Sequence, residues 1–259
     1  MENALKESIA GLPVPQVRSF TEIGSTNDEA VQWAADGAPE GSLVIADSQT
    51  KGRGRFNRRW VTRPGVALAF SLLLRPTPAE LPRLGLFSPL GALAICCALE
   101  EKLGLAPQIK WPNDVLLNRR KAAGILVESS WVGEAIQGIV IGIGINVAPD
   151  AVPPAEELLF PAISVEDVTQ KPVDRFALLR DVLRHIFAWR ARLHEEAFIE
   201  EWNRRLAFKD EWVEIKESGG GVVTGQVIRV DPQGNLLLRD ASGTVRTIIV
   251  GDLHLRLMK

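Results

Sequence analysis

The 259-residue sequence predicts an α+β fold, with a mixed, largely antiparallel sheet and helices, followed by a small C-terminal β-barrel. Three observations carry this. Between Gln108 and Val147 short apolar runs follow one another across tight turns, as antiparallel neighbours do. From Asp174 to about Arg205 apolar residues recur at three- and four-residue steps, the helical period. After Phe208 the runs VEIKE, GVVTGQVIRV, LLLRDA and VRTIIV are separated by Gly-rich or Asp-Pro turns at 8–12-residue spacing, the pattern of a small barrel. The domain boundary is placed near residue 208, giving units of 1–208 and 209–259.

The elements follow in order. Ser25 or Thr26 caps a first helix whose Asp28 and Glu29 complement the positive end of the helix dipole, and Gly37 stops it. GSLVIADSQT reads as a strand, and the Gly/Arg-rich KGRGRFNRRW follows it. GVALAFSLLL is a second, buried strand stopped by Arg75-Pro76. A core helix is expected from about Ser88 to Leu103. Then come the strand Gln108–Trp111, the turn Pro112-Asn113-Asp114, the strand Val115–Leu117, the basic link Asn118–Lys121, and the strands Ala123–Glu128 and Ala135–Val147.

Composition narrows the class. Apolar residues make up 46% and charged residues 24%, which excludes wholesale disorder. Thirty Lys and Arg against 32 Asp and Glu leave a net charge of −2, so the chain as a whole is not a polyanion binder. The two cysteines are adjacent, Cys96-Cys97, in an apolar run, which fits buried packing in a reducing compartment. The N-terminus lacks the basic and apolar regions of a signal peptide, and no apolar stretch is read as reaching the ~18 residues of a membrane span. A cytoplasmic protein with no membrane partner is expected.

Two segments carry charge that asks for a ligand. In Lys51–Trp60, Gly52 and Gly54 let backbone approach closely, while Lys51, Arg53, Arg55, Arg58 and Arg59 bring five cations and no acid. A phosphate or carboxylate is the natural neutraliser, and a solvated basic loop or a nucleic-acid patch is the plain alternative. In Lys110–Lys121, Asn113 and Asp114 sit at a turn tip and Lys121 just before the next strand. Asp114 could favour Mg²⁺ or accept an amine proton, and Lys121 could offset phosphate charge. The alternative is an ordinary Asn-Asp turn with an incidental lysine. Asn146 closes a strand carrying Gly138, Gly142 and Gly144, which suits another backbone or a flat ligand lying against it, or else a bulged edge. Trp60 and Trp111 border the charged segments and could stack on an aromatic ring. The three histidines lack metal-ligand spacing, and no serine stands in a nucleophile elbow.

In combination, these segments resemble the biotin–protein ligases. The resemblance rests on Gly24-Ser25-Thr26-Asn27, Gln49-Thr50-Lys51-Gly52-Arg53-Gly54-Arg55, Lys110-Trp111-Pro112-Asn113-Asp114, Arg120–Glu128 (RKAAGILVE) and Gly142–Val147. It extends over nearly the whole chain, to Gly251–Leu257. It implies a catalytic domain like those of class II synthetases and lipoate ligases, followed by an SH3-like barrel. It also implies the reaction: biotin and Mg·ATP give biotinyl-5′-AMP, and biotin then passes to a lysine of the biotin carboxyl carrier domain of acetyl-CoA carboxylase.

The resemblance implies roles too. Ser25, Thr26, Asn27 and Gln49 would bind the biotin ureido ring and neighbouring groups. Gly52, Arg53, Gly54 and Arg55 would form the loop that closes over biotin and the adenylate. Lys121 would meet the biotin carboxyl and the phosphate. Asn113 and Asp114 would serve the Mg–phosphate region, Asp114 also helping to deprotonate the acceptor lysine. Trp60 and Asn146 would flank the adenine, and Gly124 would keep its strand open against biotin. Lys121, Arg55 and Asp114 are the catalytic candidates.

The family loop usually has glycine where this chain has Asn57, so a left-handed backbone is expected at that position. Some members carry an N-terminal helix-turn-helix. The 24 residues before Ser25 are too few for one, so DNA binding is not expected. A lipoate ligase or octanoyl transferase on the same fold is the enzymatic alternative, and a non-catalytic RNA-gripping adaptor the other. The sequence leaves open a homodimer through sheet edges.

Overall fold

The computed structural model describes residues 2–132, 135–216, 221–249 and 254–257. After α1 (Glu2–Ser8) come β1 (Val17–Ile23), α2 (Thr26–Ala35), β2 (Leu43–Gln49), β3 (Ala67–Leu74) and α3 (Phe87–Leu103). Then follow β4 (Gln108–Lys110), β5 (Asp114–Leu117), β6 (Arg120–Val132), β7 (Ala135–Asn146), α4 (Val165–Thr169), α5 (Arg175–Arg190) and α6 (Glu196–Arg204). The chain continues through β8 (Trp212–Lys216), β9 (Val222–Val230), β10 (Leu236–Arg239), β11 (Val245–Ile248) and β12 (His254–Leu257).

Strands β1 to β7 form one sheet in the order β1-β2-β3-β7-β6-β5-β4. Only β1 and β2 run parallel; the other neighbours are antiparallel, as the short turns require. Both faces of the centre are covered, so β3 is buried along its whole length. The two-residue period of β7 separates two jobs. Ile139, Ile141, Ile143 and Ile145 belong to the main buried core with α3 and α5. On the alternate face Val140 packs with Ala30, Trp33 and Ala34 of α2. Gly142, Gly144 and Asn146 continue that second face beyond the helix, and there the sheet floor lies open.

Ser25 is the cap of α2: its side chain accepts from Asp28 N at 3.4 Å, and Thr26 is the first helical residue. Residues Leu81–Leu103 overturn the expectation that no stretch is long enough to span a membrane. These 23 residues pass on length and apolarity. They are nonetheless the core helix: Phe87, Leu90, Leu93, Ile95 and Leu99 have no exposed surface, and α3 lies against α5 and β6. Gly91 permits this, since a Cβ there would stand 3.3 Å from Ile125 and Ile141.

The expected basic link before β6 is a hairpin. Asn118 (φ 49°) and Arg119 (φ 61°) are both left-handed, the backbone of a two-residue turn that matches strand twist. Strand β6 therefore begins at Arg120 and already contains Lys121. Arg119 is held in place by two 2.8 Å bonds to the Glu211 carboxylate.

Strands β8 to β12 form a second antiparallel sheet in the order β11-β10-β9-β8-β12. The expected motif residues 251–253 lie outside the described residues. The core does not divide at residue 208: Val213, Ile215, Val227, Val230, Leu236, Leu238 and Ile248 belong to the same buried cluster as Phe87, Trp111 and Trp202. Polar contacts reinforce the junction. Trp111 Nε1 donates to Gly234 O at 3.0 Å, and Asn203 exchanges bonds of 3.1 and 2.8 Å with Val230.

Candidate active site

The open part of the floor is the base of a cavity of about 540 Å³. Every residue to which the resemblance assigns a role, except Gly52, lines it, from Ser25 to Asn146. Lys51 does not, and Trp111, expected to stack on a ligand ring, is instead buried with its indole N–H on Gly234 O. Gly52 serves the loop instead, because a Cβ there would come within 2.4 Å of Trp60 O.

One end is built of side-chain amides and hydroxyls. Thr26 donates from its backbone N and its hydroxyl to Gln49 Oε1, at 2.8 and 3.1 Å, while Gln49 Nε2 donates to Thr62 Oγ1 at 3.1 Å. The Ser71 hydroxyl lies 2.8 Å from Thr26 Oγ1 and 2.6 Å from Asn27 Oδ1. Asn27 Nδ2 donates to Glu128 Oε2 at 2.7 Å and Leu126 O at 3.2 Å. Sequence reasoning missed Ser71, although a lone hydroxyl within a wholly apolar strand was a signal. It also missed Thr62, Asp28 and Glu128.

The glycines of β7 make room for this chain's own side chains, not for a second backbone. A Cβ on Gly142 would stand 2.0 Å from Asn27 Oδ1, and one on Gly144 2.3 Å from the Trp60 ring. Trp60 also covers Gly124, at 3.4 Å from a Cβ there. Its indole N–H is buried and has no hydrogen-bond partner among the described residues, although the ring lines the cavity. A ligand acceptor would satisfy that donor.

Residues 52–60 form a tight hairpin, closed by Trp60 N to Gly52 O at 2.9 Å and Gly54 N to Arg58 O at 2.7 Å. Its left-handed residue is Phe56 (φ 59°, ψ 39°), one position before the expected Asn57. Asn57 instead closes the short 3₁₀ turn, so the shape glycine would supply is taken up at its neighbour. Arg53 is not neutralised by a ligand alone: its guanidinium lies 2.6 Å from Asp28 and 3.0 Å from Glu128. Arg55 reaches Asn113 Oδ1 at 3.4 Å, and Asn113 Nδ2 donates to Ile125 O at 2.9 Å.

The other end is cationic. Asp114 is buried and bridges two ammoniums, Lys121 at 2.7 Å and Lys110 at 3.3 Å. Burial works against the Asp114 carboxylate, but the Lys121 and Lys110 charges and their hydrogen bonds outweigh it and hold its pKa below the ordinary value. Burial pushes the Lys110 ammonium down from its usual pKa, with Asp114 opposing. The Lys121 Nζ also faces the Trp60 ring, 5.6 Å from its centroid. Asn146 is buried, and its amide donates to Ile163 O at 3.3 Å and Lys121 O at 3.5 Å. It thereby ties residues 161–163 to β6 beside Lys121, where Lys121 N donates to Pro161 O at 2.8 Å.

Asp114 does not fit a protein-held Mg²⁺, since both its oxygens face lysines and no group of three His, Cys, Asp or Glu gathers among the described residues. Nor is a buried carboxylate with a depressed pKa a good proton acceptor. Asp114→Asn should leave Lys110 buried without its counter-ion and cost about 3–5 kcal/mol at pH 7. Because the folded pKa lies below the unfolded one, this stabilisation is complete above about pH 5 and is lost as pH falls through the folded value. Melting of parent and variant across pH 2–7 should therefore show a gap that closes in acid; a gap constant down to pH 2 would refute the depressed pKa.

A sequence model of the biotin/lipoate A/B protein ligase family matches residues 20–146. A biotin–[acetyl-CoA-carboxylase] ligase from Paracoccus denitrificans is 40% identical over 227 residues, 85% of this chain and 92% of that one. The Mycobacterium tuberculosis enzyme of the same description is 32% identical over 265 residues, 98% of this chain and 96% of the other. The biotin protein ligase of Aquifex aeolicus, solved with biotin and ATP, superposes with a TM-score of 0.81 at 30% identity, covering 94% of this chain and 100% of that one. Cavity, fold and relatives converge: this chain is a ligase and belongs to the biotin protein ligases.

Proposed function

We propose that this ligase joins biotin to ATP in the 540 Å³ cavity and then passes biotin to a lysine of the biotin carboxyl carrier domain of acetyl-CoA carboxylase. The observation that carries the reading is the division of the cavity into an end of amides and hydroxyls at Thr26, Asn27 and Gln49 and a lysine-bearing end at Lys110 and Lys121. Biotin has the same polarity, with an uncharged ureido head at one end and a carboxylate at the other. In the first step a carboxylate oxygen attacks the α-phosphorus of ATP and pyrophosphate leaves. In the second, the carrier lysine amine attacks the acyl carbon, loses a proton, and AMP leaves.

The residues divide the work. Ser25, Thr26, Asn27 and Gln49 hold the ureido head. Lys121 lies where the carboxylate and α-phosphate meet and offsets the repulsion between two anions. Asp114 positions Lys121, and Arg55 joins the loop to Asn113 beside the phosphates. Trp60 forms a wall over Gly124 and Gly144 and offers its free N–H. Asn146 acts through the segment that it ties to β6, where the adenine end would lie. Mg²⁺ enters as part of Mg·ATP, neutralising phosphate charge, without a protein carboxylate set of its own. Residues 209–259 serve as an SH3-like unit that buttresses Trp111, and so the turn bearing Asn113 and Asp114.

Pyrophosphate exchange into ATP tests the reading. Biotin-dependent exchange is expected; exchange that responds only to lipoate would transfer the chain to the lipoate branch of the family, and none at all would leave an adaptor.

A further inference from the structure

We propose that Asp28 and Glu128 are positioning residues that clasp Arg53 and thereby hold the 52–60 hairpin, with Trp60 on its returning strand, over the floor of the cavity. The inference rests on the functional reading above and extends it to two carboxylates outside the assigned set. Arg53 Nη2 stands 2.6 Å from Asp28 Oδ1 and 3.0 and 3.1 Å from the two oxygens of Glu128, so one guanidinium joins the first turn of α2 to β6. Burial works against the Arg53 charge, yet both carboxylates raise its pKa above the ordinary value, so the guanidinium they hold stays charged.

The clasp acts beyond Arg53 because the hairpin behaves as one piece. Arg53 pairs across it with Arg59, and the backbone bonds at Gly52 and Gly54 close it on both sides of that pair. Holding Arg53 therefore holds Trp60 in the space left by Gly124 and Gly144. Glu128 extends the link further. The oxygen 3.1 Å from Arg53 also accepts from Asn27 Nδ2 at 2.7 Å, so the polar end of the cavity and its cover share one carboxylate. A ligand acyl-adenylate lying between them would be retained by the clasp, although neither Asp28 nor Glu128 needs to touch the reacting atoms.

Asp28→Asn is the informative change, because the Asp28 side chain is half exposed and the substitution keeps its shape. The experiment measures dissociation of biotinyl-5′-AMP from parent and variant over 50–500 mM salt, with adenylate formation at saturating biotin and ATP alongside. Release should be about fivefold faster in the variant at low salt, as loss of one partly exposed ion pair allows. Parent release should also accelerate more steeply with salt than variant release, since only the parent has this pair to screen. A purely structural role for Asp28 would leave the salt slopes alike. Adenylate formation should stay within about twofold, as the reacting atoms are untouched. Equal release rates and equal slopes would overturn the clasp while leaving the ligase reading intact. A parent that forms no biotinyl-adenylate would overturn both.

Discussion

Lys121→Ala should lower biotin-dependent adenylate formation by on the order of 10²-fold or more, about 3 kcal/mol of transition-state stabilisation. The reason is electrostatic. The first step brings a carboxylate against a polyphosphate, and Lys121 is the partly exposed cation at that end of the cavity, its ammonium 2.7 Å from Asp114 Oδ1. Asp114 fixes the ammonium in place before substrate arrives, so the enzyme spends little reorganisation on it. Folding should suffer far less, because Asp114 keeps Lys110 at 3.3 Å as a counter-ion and is not left alone in the interior. The measurement is pyrophosphate exchange beside a thermal melt. Near-parent exchange in a well-folded variant would remove Lys121 from the chemistry.

Deleting residues 209–259 should abolish cooperative folding of the remaining chain. From the sequence alone the deletion looks mild, because every assigned site residue precedes Val147, and transfer would then suffer more than adenylate formation. The shared core changes that expectation. Gly234 O accepts from Trp111 Nε1, and the Gly234 backbone lies close over Leu86 and Trp202, all three buried. Re-exposing three side chains of this size costs about 5 kcal/mol or more, comparable with the entire net stability of a typical domain. The deletion also orphans the Trp111 N–H and frees Arg119 from Glu211 at the hairpin that starts β6. A truncated chain that melts cooperatively at the parent temperature would show that the second sheet is an independent appendage.

What the sequence determined by itself was everything governed by local period and local chemistry. The alternation in AIQGIVIGIGINV fixes which face of β7 meets the helices, and Ser25 with Asp28 and Glu29 writes the start of α2. The motif segments identified the cavity residues, which the fold then gathered into a single lining. Tertiary structure decided whatever depends on partners remote in sequence. Whether a polar side chain faces a ligand or another protein group depends on what stands opposite, so Asp28 and Glu128 were unreadable as partners of Arg53 from 25 and 75 residues away. Phe56 takes the left-handed backbone expected of Asn57 because the closure of the hairpin, not the propensity of one residue, sets its tip. The sharpest case is Lys121. Residues 121 and 124 of a regular strand point to opposite faces, yet a register shift between Val115 and Leu116 places Lys121 opposite Leu116 and Gly124 opposite Asp114. Both then lie on the face of Asp114, with the Lys121 ammonium 3.1 Å from where a Gly124 Cβ would stand. A bulge is a property of two paired strands, and the spacing along one of them does not contain it.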